Sequence, residues 1–447
     1  MSGKKNWMIG LLALLVFFAE IKAGEIRNAV RAGGQAEIRG QESALVRYQG
    51  YQKEAVEAER RGEYEPALKN YLKMIEMIPH KPEANYSAAR VQAIMGNSRE
   101  ALEFLEKALS LGYTLPGGLD KSFDALKTNA EFQKIQAMIE ALKRPIGPNR
   151  VAFTIPEKDL LPEGIAYDPG EDCFYLGSMW KSKIIKIDRT GTVREFAGEK
   201  LDGLRSVAGM KVDAERRILW ALSFVSQPWG KVAPEEIGWS AVFKYDLKTG
   251  KLVKKYEVDD RQAGHLFNDL TVTRSGDVFI TDSNRSEIWT IFHEADVLEL
   301  FFRSDEFMYT NGITTGPNDQ TLYVASPGNG VFRIDIPAKE CRLVSHPQEM
   351  TLSAIDGLYF YENSLVAVQP RFDRITRYYL DKKSASVERL EIVEAHNPLF
   401  DFPTTGCIAG KTFYYIANSQ AYRLNRDGTL FPADKLKDVV ILSADLK

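Results

Sequence analysis

Six phrases of one wording recur along the last two thirds of this chain, and they leave few folds open to it. They are "PEGIAYD" (162–168), "VAGMKVD" (207–213), "FNDLTVT" (267–273), "TNGITTG" (310–316), "IDGLYFY" (355–361) and "TTGCIAG" (404–410). Their second small or polar positions are Gly164, Gly209, Asp269, Gly312, Gly357 and Gly406, at intervals of 45, 60, 43, 45 and 49 residues. Spacing of this size suits four short strands with turns. A second apolar run follows each phrase ("CFYLGS", "ILWALS", "VFITDS", "TLYVAS", "SLVAVQ", "FYYIANS"), and a third follows most of these ("KIIKID", "AVFKYD", "GVFRIDI"). The pattern predicts a six-bladed β-propeller over 151–447, with the early strand "VAFTIP" closing the ring on the last blade so that no edge is left unpaired.

In such a ring the residue before each repeat's small position stands at one height around the central channel. Those residues are Glu163, Ala208, Asn268, Asn311, Asp356 and Thr405. Alone, an Asn-Gly or Asp-Gly pair reads as a turn; four oxygen-bearing side chains at one position of a repeat read as a ring. Two carboxylates and two amides, with no His or Cys among them, suit a hard cation. This favours Ca²⁺ over Zn²⁺, other divalent cations being admitted by the same ligand set. Glu163, Asn268, Asn311 and Asp356 are the expected metal ligands.

The first third of the chain has a different period. Gly62 and Gly96, and Ala67 and Ala101, are each 34 residues apart within helical patterns. This resembles the tetratricopeptide repeat over roughly two units, with a closing helical segment in which Phe123, Leu126 and Phe132 cap the apolar face. The expected fold is therefore multidomain, α then all-β: a short tetratricopeptide-like array over 45–142, a Pro/Gly linker over 143–150, and the propeller. The array reads either as a spacer or as the docking arm for a protein partner.

At the N-terminus, Lys4 and Lys5 precede an apolar run from Trp7 to Ala19. The run is short of the ~20 residues a spanning helix needs and fits a secretory signal over 1–23. An exported protein, periplasmic or secreted, is expected, with membrane attachment only if the segment stays uncleaved. A formal net charge of −3 offers no basic stripe for nucleic acid. Cys173, Cys341 and Cys407 have no zinc spacing and read as free thiols, one disulfide plus a spare thiol being the other option.

The propeller resembles the senescence marker protein/gluconolactonase family, close to the paraoxonase and strictosidine synthase propellers. The motifs that carry this are "PEG" at Pro162–Gly164, "FND" at Phe267–Asp269, "NGI" at Asn311–Ile313 and "DG" at Asp356–Gly357. The resemblance implies a divalent ion, usually calcium, on Glu163, Asn268, Asn311 and Asp356. It further implies metal-assisted hydrolysis of a lactone or related ester, with Asp356 positioning or deprotonating the attacking water. Sugar-lactone members generally carry Arg two residues before the first ligand Asn; here Leu266 stands there, which moves the expected substrate toward a more apolar ring or ester. His265 is a second candidate base, against the plainer reading of a loop histidine. Trp180, Trp229 and Trp239 read as a pocket roof or as blade packing, and Asp168 and Asp282 as turn partners. The rival function is a non-catalytic binding protein with a structural calcium and a partner-docking helical arm; a strictosidine-synthase-like condensation is a third option.

Overall fold

Each of the six phrases opens the innermost strand of a four-stranded sheet, and six such sheets make up the propeller. The computed structural model describes residues 42–447 apart from 116, 149, 227–231, 259–263 and 426. The segment read as a signal and Trp229 lie outside the described residues. The inner strands are Pro162–Asp168, Ser206–Asp213, Phe267–Val272, Ile313–Thr315, Leu358–Tyr361 and Gly406–Ala409, here blades 1 to 6. In blades 1 to 5 the chain then steps outward through three more strands, each antiparallel to the last.

The second strands are apolar without alternation because both of their faces are covered. Cys173–Ser178, Thr321–Ser326 and Ser364–Gln369 are buried at every position. A blade is sandwiched between its neighbours, so its middle strands read as continuous hydrophobic runs. Outer strands are half in water: Leu298–Arg303 alternates between half-buried or exposed residues and the buried Phe301. Aromatic layers fill the gaps between blades. Phe279 meets Phe301 at 4.9 Å, and Phe307 meets Phe332 at 4.9 Å.

Ring closure is by the first strand, as the sequence predicts. Arg150–Ile155 pairs antiparallel with Val439–Asp445 and becomes the outer strand of blade 6, with Val151 opposite Leu442 and Ile155 opposite Val439. Arg189 pins blade 1 to blade 6 at the rim. It donates to Tyr414 Oη (2.7 Å) and Asp172 Oδ1 (2.6 Å), and its guanidinium lies 5.4 Å from the rings of Tyr167 and Phe174. Within the segment read as a linker, Ile146 exchanges both backbone hydrogen bonds with Ala395.

Helices precede the propeller: α1 (Ala44–Arg60), α2 (Tyr64–Met77), α3 (Pro82–Ile94), α4 (Ser98–Ser110) and α5 (Ala130–Ala141). The described chain falls into two compact units, one made mainly of the helices before Ile135, the other having Gln136–Lys447 as its body. Inside the first unit, Ala55, Ala58, Ala67, Ala88 and Ala101 are buried, so small side chains let the helices approach. Gly62 (φ 76°) and Gly96 (φ 82°) make the left-handed turns after α1 and α3. Glu59 is held by Arg90 and by the Tyr71 hydroxyl, each at 2.5 Å. Phe123, Leu126 and Phe132 are buried, as a closing apolar segment requires.

The repeat glycines are there for space. A Cβ on Gly164 would lie 2.1 Å from the Ala208 carbonyl oxygen of the next blade, and one on Gly312 would lie 2.4 Å from that of Asp356. Backbone cannot yield as a flexible side chain can. Gly312→Ala is therefore expected to destabilise the propeller by about 2 kcal/mol or more. Thermal unfolding checks it, and a melting temperature equal to wild type would contradict the close approach.

Candidate metal centre

A bulge sets the direction of the ring side chains in the first three blades. Strand register shifts between Pro162 and Ile165, between Val207 and Met210, and between Phe267 and Leu270. Each shift spans the ring residue and its small neighbour, and a bulge of this kind re-aims a side chain. In blades 4 to 6 the strand starts just after the ring residue, at Ile313, Leu358 and Gly406. The polar residue at the head of each strand thus marks a departure from regular pairing.

Contacts from blade to blade run round this level. Asn311 Nδ2 donates to Asp356 Oδ1 (2.8 Å), and the Gly312 N–H donates to the Asp356 carbonyl (2.8 Å). The Gly357 N–H donates to the Thr404 carbonyl (3.2 Å). The Thr405 hydroxyl donates to the Glu163 carbonyl and ties blade 6 to blade 1. Asn268 Nδ2 donates to Ser283 Oγ (2.9 Å), whose hydroxyl donates in turn to the Thr310 carbonyl (2.5 Å) next to Asn311.

Two ring oxygens are left over. Glu163 Oε2 and Asn311 Oδ1 are sealed from solvent and have no hydrogen-bond partner. An orphaned buried oxygen costs about 1–3 kcal/mol, more when charged. The carboxylates show the same deficit of positive charge. Burial, with Asp356 and Asp269 adding to it, pushes the Glu163 carboxyl well above the usual range. Burial pushes Asp356 up to about 7, against the Asn311 hydrogen bond, with Asp269 raising it further. Oxygen donors, two of them unsatisfied, and carboxylates that resist ionisation fit a divalent cation. Glu163 is buried, while Asn268, Asn311 and Asp356 are half-buried.

Three participants were missed by reading ring positions alone. Asp269 occupies the small position of the third phrase and is 2% exposed. Its Oδ1 accepts from the Leu270 N–H (2.8 Å) and its Oδ2 from the Ile313 N–H of blade 4 (3.4 Å). Burial raises its pKa and Lys211 draws it back. Lys211 and Tyr359, two residues beyond the small positions of blades 2 and 5, are the others. The available signal was the replacement of glycine by aspartate within an otherwise uniform repeat.

His265 is held by Asp282. Its Nδ1 is 2.6 Å from Asp282 Oδ2, its ring packs edge-on to Trp289 at 5.6 Å, and its Nε2 is buried without a partner. Asp282 also accepts from the N–H groups of Leu266 (3.0 Å) and Arg285 (3.2 Å), the turn role expected of it. Asp168 likewise caps its turn through the Gly170 N–H (2.8 Å) and pairs with Arg217. His265, Asp282 and Glu287 form a buried ligand-like cluster, but Arg303 (2.5 Å) and Arg285 (3.6 Å) already neutralise Glu287. Trp239 packs inward and donates to Glu257 (2.8 Å), and Trp180 is half-buried against a blade core. All three cysteines are free thiols, Cys173 and Cys407 buried and Cys341 half-buried. Near the ring, partial desolvation raises the Tyr422 phenol, Arg371 pulling it back and Asp356 adding to it.

The sequence matches no protein-family model and no curated relative. Among solved structures the chain is similar to a PQQ-bound aldose sugar dehydrogenase from Streptomyces coelicolor, at 12% identity over 66% of this chain and 96% of that one (TM-score 0.45). It is also similar to a gluconolactonase from Xanthomonas campestris, at 14% identity over 65% and 88% (TM-score 0.44). A third is virginiamycin B lyase from Staphylococcus aureus, at 14% identity over 65% and 97% (TM-score 0.42).

The raised Asp356 gives a pH dependence with a definite sign. The folded chain holds this proton up to about pH 7, whereas an unfolded aspartate releases it near about 4. In chelator, the Asp356 contribution to stability is therefore full below about pH 4 and lost as pH rises to about 7. A divalent ion held there would have to displace the same proton, so calcium affinity should climb about tenfold or more between roughly pH 5.5 and 8. Calorimetric titration across that range checks it; an affinity flat in pH would contradict the placement of Asp356 in the site.

Proposed function

We propose that this chain is an exported, divalent-metal-dependent hydrolase of lactone or ester substrates. The observation that carries the reading is the pair of orphaned ring oxygens, Glu163 Oε2 and Asn311 Oδ1, beside carboxylates held above their ordinary pKa. Glu163, Asn268, Asn311 and Asp356 would hold the ion, calcium ahead of other divalent cations because every donor is a hard oxygen. When bound, it supplies Lewis-acid polarisation of the substrate carbonyl.

The remaining work falls to the chain's own residues. Asp356 Oδ1 is engaged by Asn311, and its other oxygen is the one to orient a water and take its proton. Asn311 fixes the rotamer of that carboxylate. Tyr422, 41% exposed and packed edge-on to Phe402 at 4.7 Å, borders the substrate together with Arg371. Half-buried Leu266, in place of a guanidinium, favours an apolar ring or ester over a sugar-acid lactone. The helical unit is read as a tetratricopeptide-like arm for a protein partner, from its 34-residue period and alanine-lined helices.

A panel of lactones and aryl esters, assayed with chelator and with added Ca²⁺, tests the reading. Turnover should vanish in chelator and return with calcium. Asp356→Ala should lower kcat at least ~100-fold while the propeller remains folded. Glu163→Gln should abolish calcium binding by titration without lowering the melting temperature in chelator, because the buried carboxyl already resists ionisation there and an uncharged amide of the same shape replaces it. Turnover persisting in chelator would overturn the proposal. Calcium binding without turnover by wild type would leave the scaffold role as the better account.

A further inference from the structure

Ser283 follows the second strand of blade 3 (Val278–Asp282) and touches a ring residue directly. Its Oγ is 2.9 Å from Asn268 Nδ2 and 2.5 Å from the Thr310 carbonyl oxygen, in the segment leading into blade 4. A carbonyl can only accept, so the single hydroxyl proton of Ser283 goes to Thr310. The Ser283 oxygen then offers Asn268 nothing but lone pairs, and the group that meets it has to be the amide NH₂. Among the described residues this is the one hydrogen bond of the Asn268 side chain, and Oδ1 is left as its free end.

Both supports of this hydroxyl are themselves fixed. The Ser283 N–H donates to the Leu266 carbonyl (2.9 Å), two residues ahead of Asn268. Thr310 is fully buried, and its hydroxyl donates to the carbonyl of Asp282 (2.9 Å), the residue before Ser283. Asn311, next after Thr310, gives its own NH₂ to Asp356 and keeps its Oδ1 without a partner. The two ring amides are thus turned the same way round, with NH₂ spent on protein and the oxygen unspent.

The hydroxyl stands where blade 3 needs one. In each blade, the residue after the small position pairs with one on the second strand. Three residues beyond that partner stand Met179, Phe224, Ser283, Pro327, Pro370 and Ala417. Blade 3 alone has a hydroxyl there. Asn268 has no ring side chain to lean on, since Ala208 on one side is apolar and Asn311 on the other is committed to Asp356.

We infer that Ser283 is the positioning residue of Asn268: by taking the amide NH₂ it leaves the carbonyl oxygen as the end offered to the ion. An amide free to turn would present its NH₂ as readily, and that end repels a cation. This role deepens the metal-ring reading and rests on it.

Calcium titration of the full chain tests it, with wild type, Ser283→Ala, Ser283→Thr, Asn268→Ala and the Ser283→Ala/Asn268→Ala double variant. Ser283→Ala should raise the calcium Kd about tenfold or more, the usual cost of losing a hydrogen bond behind a metal ligand. Ser283→Thr keeps the hydroxyl and should bind close to wild type. In the Asn268→Ala background, Ser283→Ala should cost less than about twofold, because the amide it serves is gone. Calcium affinity unchanged in Ser283→Ala, or lost equally in both backgrounds, overturns the inference, the second outcome marking a general distortion. Should Asn268→Ala bind too weakly to titrate, the threonine variant decides: affinity near wild type supports the inference, and affinity as weak as that of Ser283→Ala overturns it. Should Ser283→Ala fail to fold, Ser283→Cys takes its place in the same cycle, since a thiol is a weak donor and acceptor. Wild type that binds no calcium defeats the metal-ring reading and the inference together, whereas wild-type affinity in Ser283→Ala defeats the inference alone.

Discussion

The close approach of neighbouring inner strands around the channel is the constraint from which the other features follow. At Gly164 and Gly312 the next blade's carbonyl oxygen stands where a Cβ would go, and at Gly209 it is the backbone of Asn268 and Asp269 that would be struck. Removing the side chain at five of the six positions lets the inner strands draw together. The residue just before the glycine is then left at the axis, where it meets its counterparts from other blades. Oxygen-bearing side chains at those places come from bulged strands in blades 1 and 3 and from the residues just ahead of the strand in blades 4 and 5.

That arrangement has an electrostatic consequence. Each carboxylate brought to the axis loses water on several sides at once, and burial is the leading cause of the shifts at Glu163, Asp269 and Asp356. The protein answers in two ways. Asp269 is answered from within, by backbone N–H groups. Glu163 and Asp356 are answered only in part, and the oxygens left without partners lie on that side of the channel.

Much of this was legible in the sequence because the repeat imposes one register on six segments. The number of blades and the closing strand follow from aligning the phrases, and the same alignment nominates the four ring residues. Other features depended on what a repeat cannot encode. Asp269 broke the glycine pattern, yet nothing in a single chain says that its carboxylate would hold Ile313 of the next blade. His265 lies three residues before Asn268 along the chain, and the pairing of Phe267 with Asp282 sets it beside that carboxylate, a contact that chain spacing does not reveal. Trp239 shows the same limit, its indole spent on Glu257 rather than on a roof. Distance along a chain is a poor guide where a bulge intervenes, and bulges sit at three of the six ring positions.

The most direct test of the account is anomalous diffraction from crystals of the full chain soaked in a calcium surrogate such as Mn²⁺ or Tb³⁺. The account predicts one strong peak at the channel mouth, within coordination distance (~2.0–2.6 Å) of Glu163 Oε2 and Asn311 Oδ1. A ring without a peak, with those two oxygens paired to protein or water instead, would contradict it.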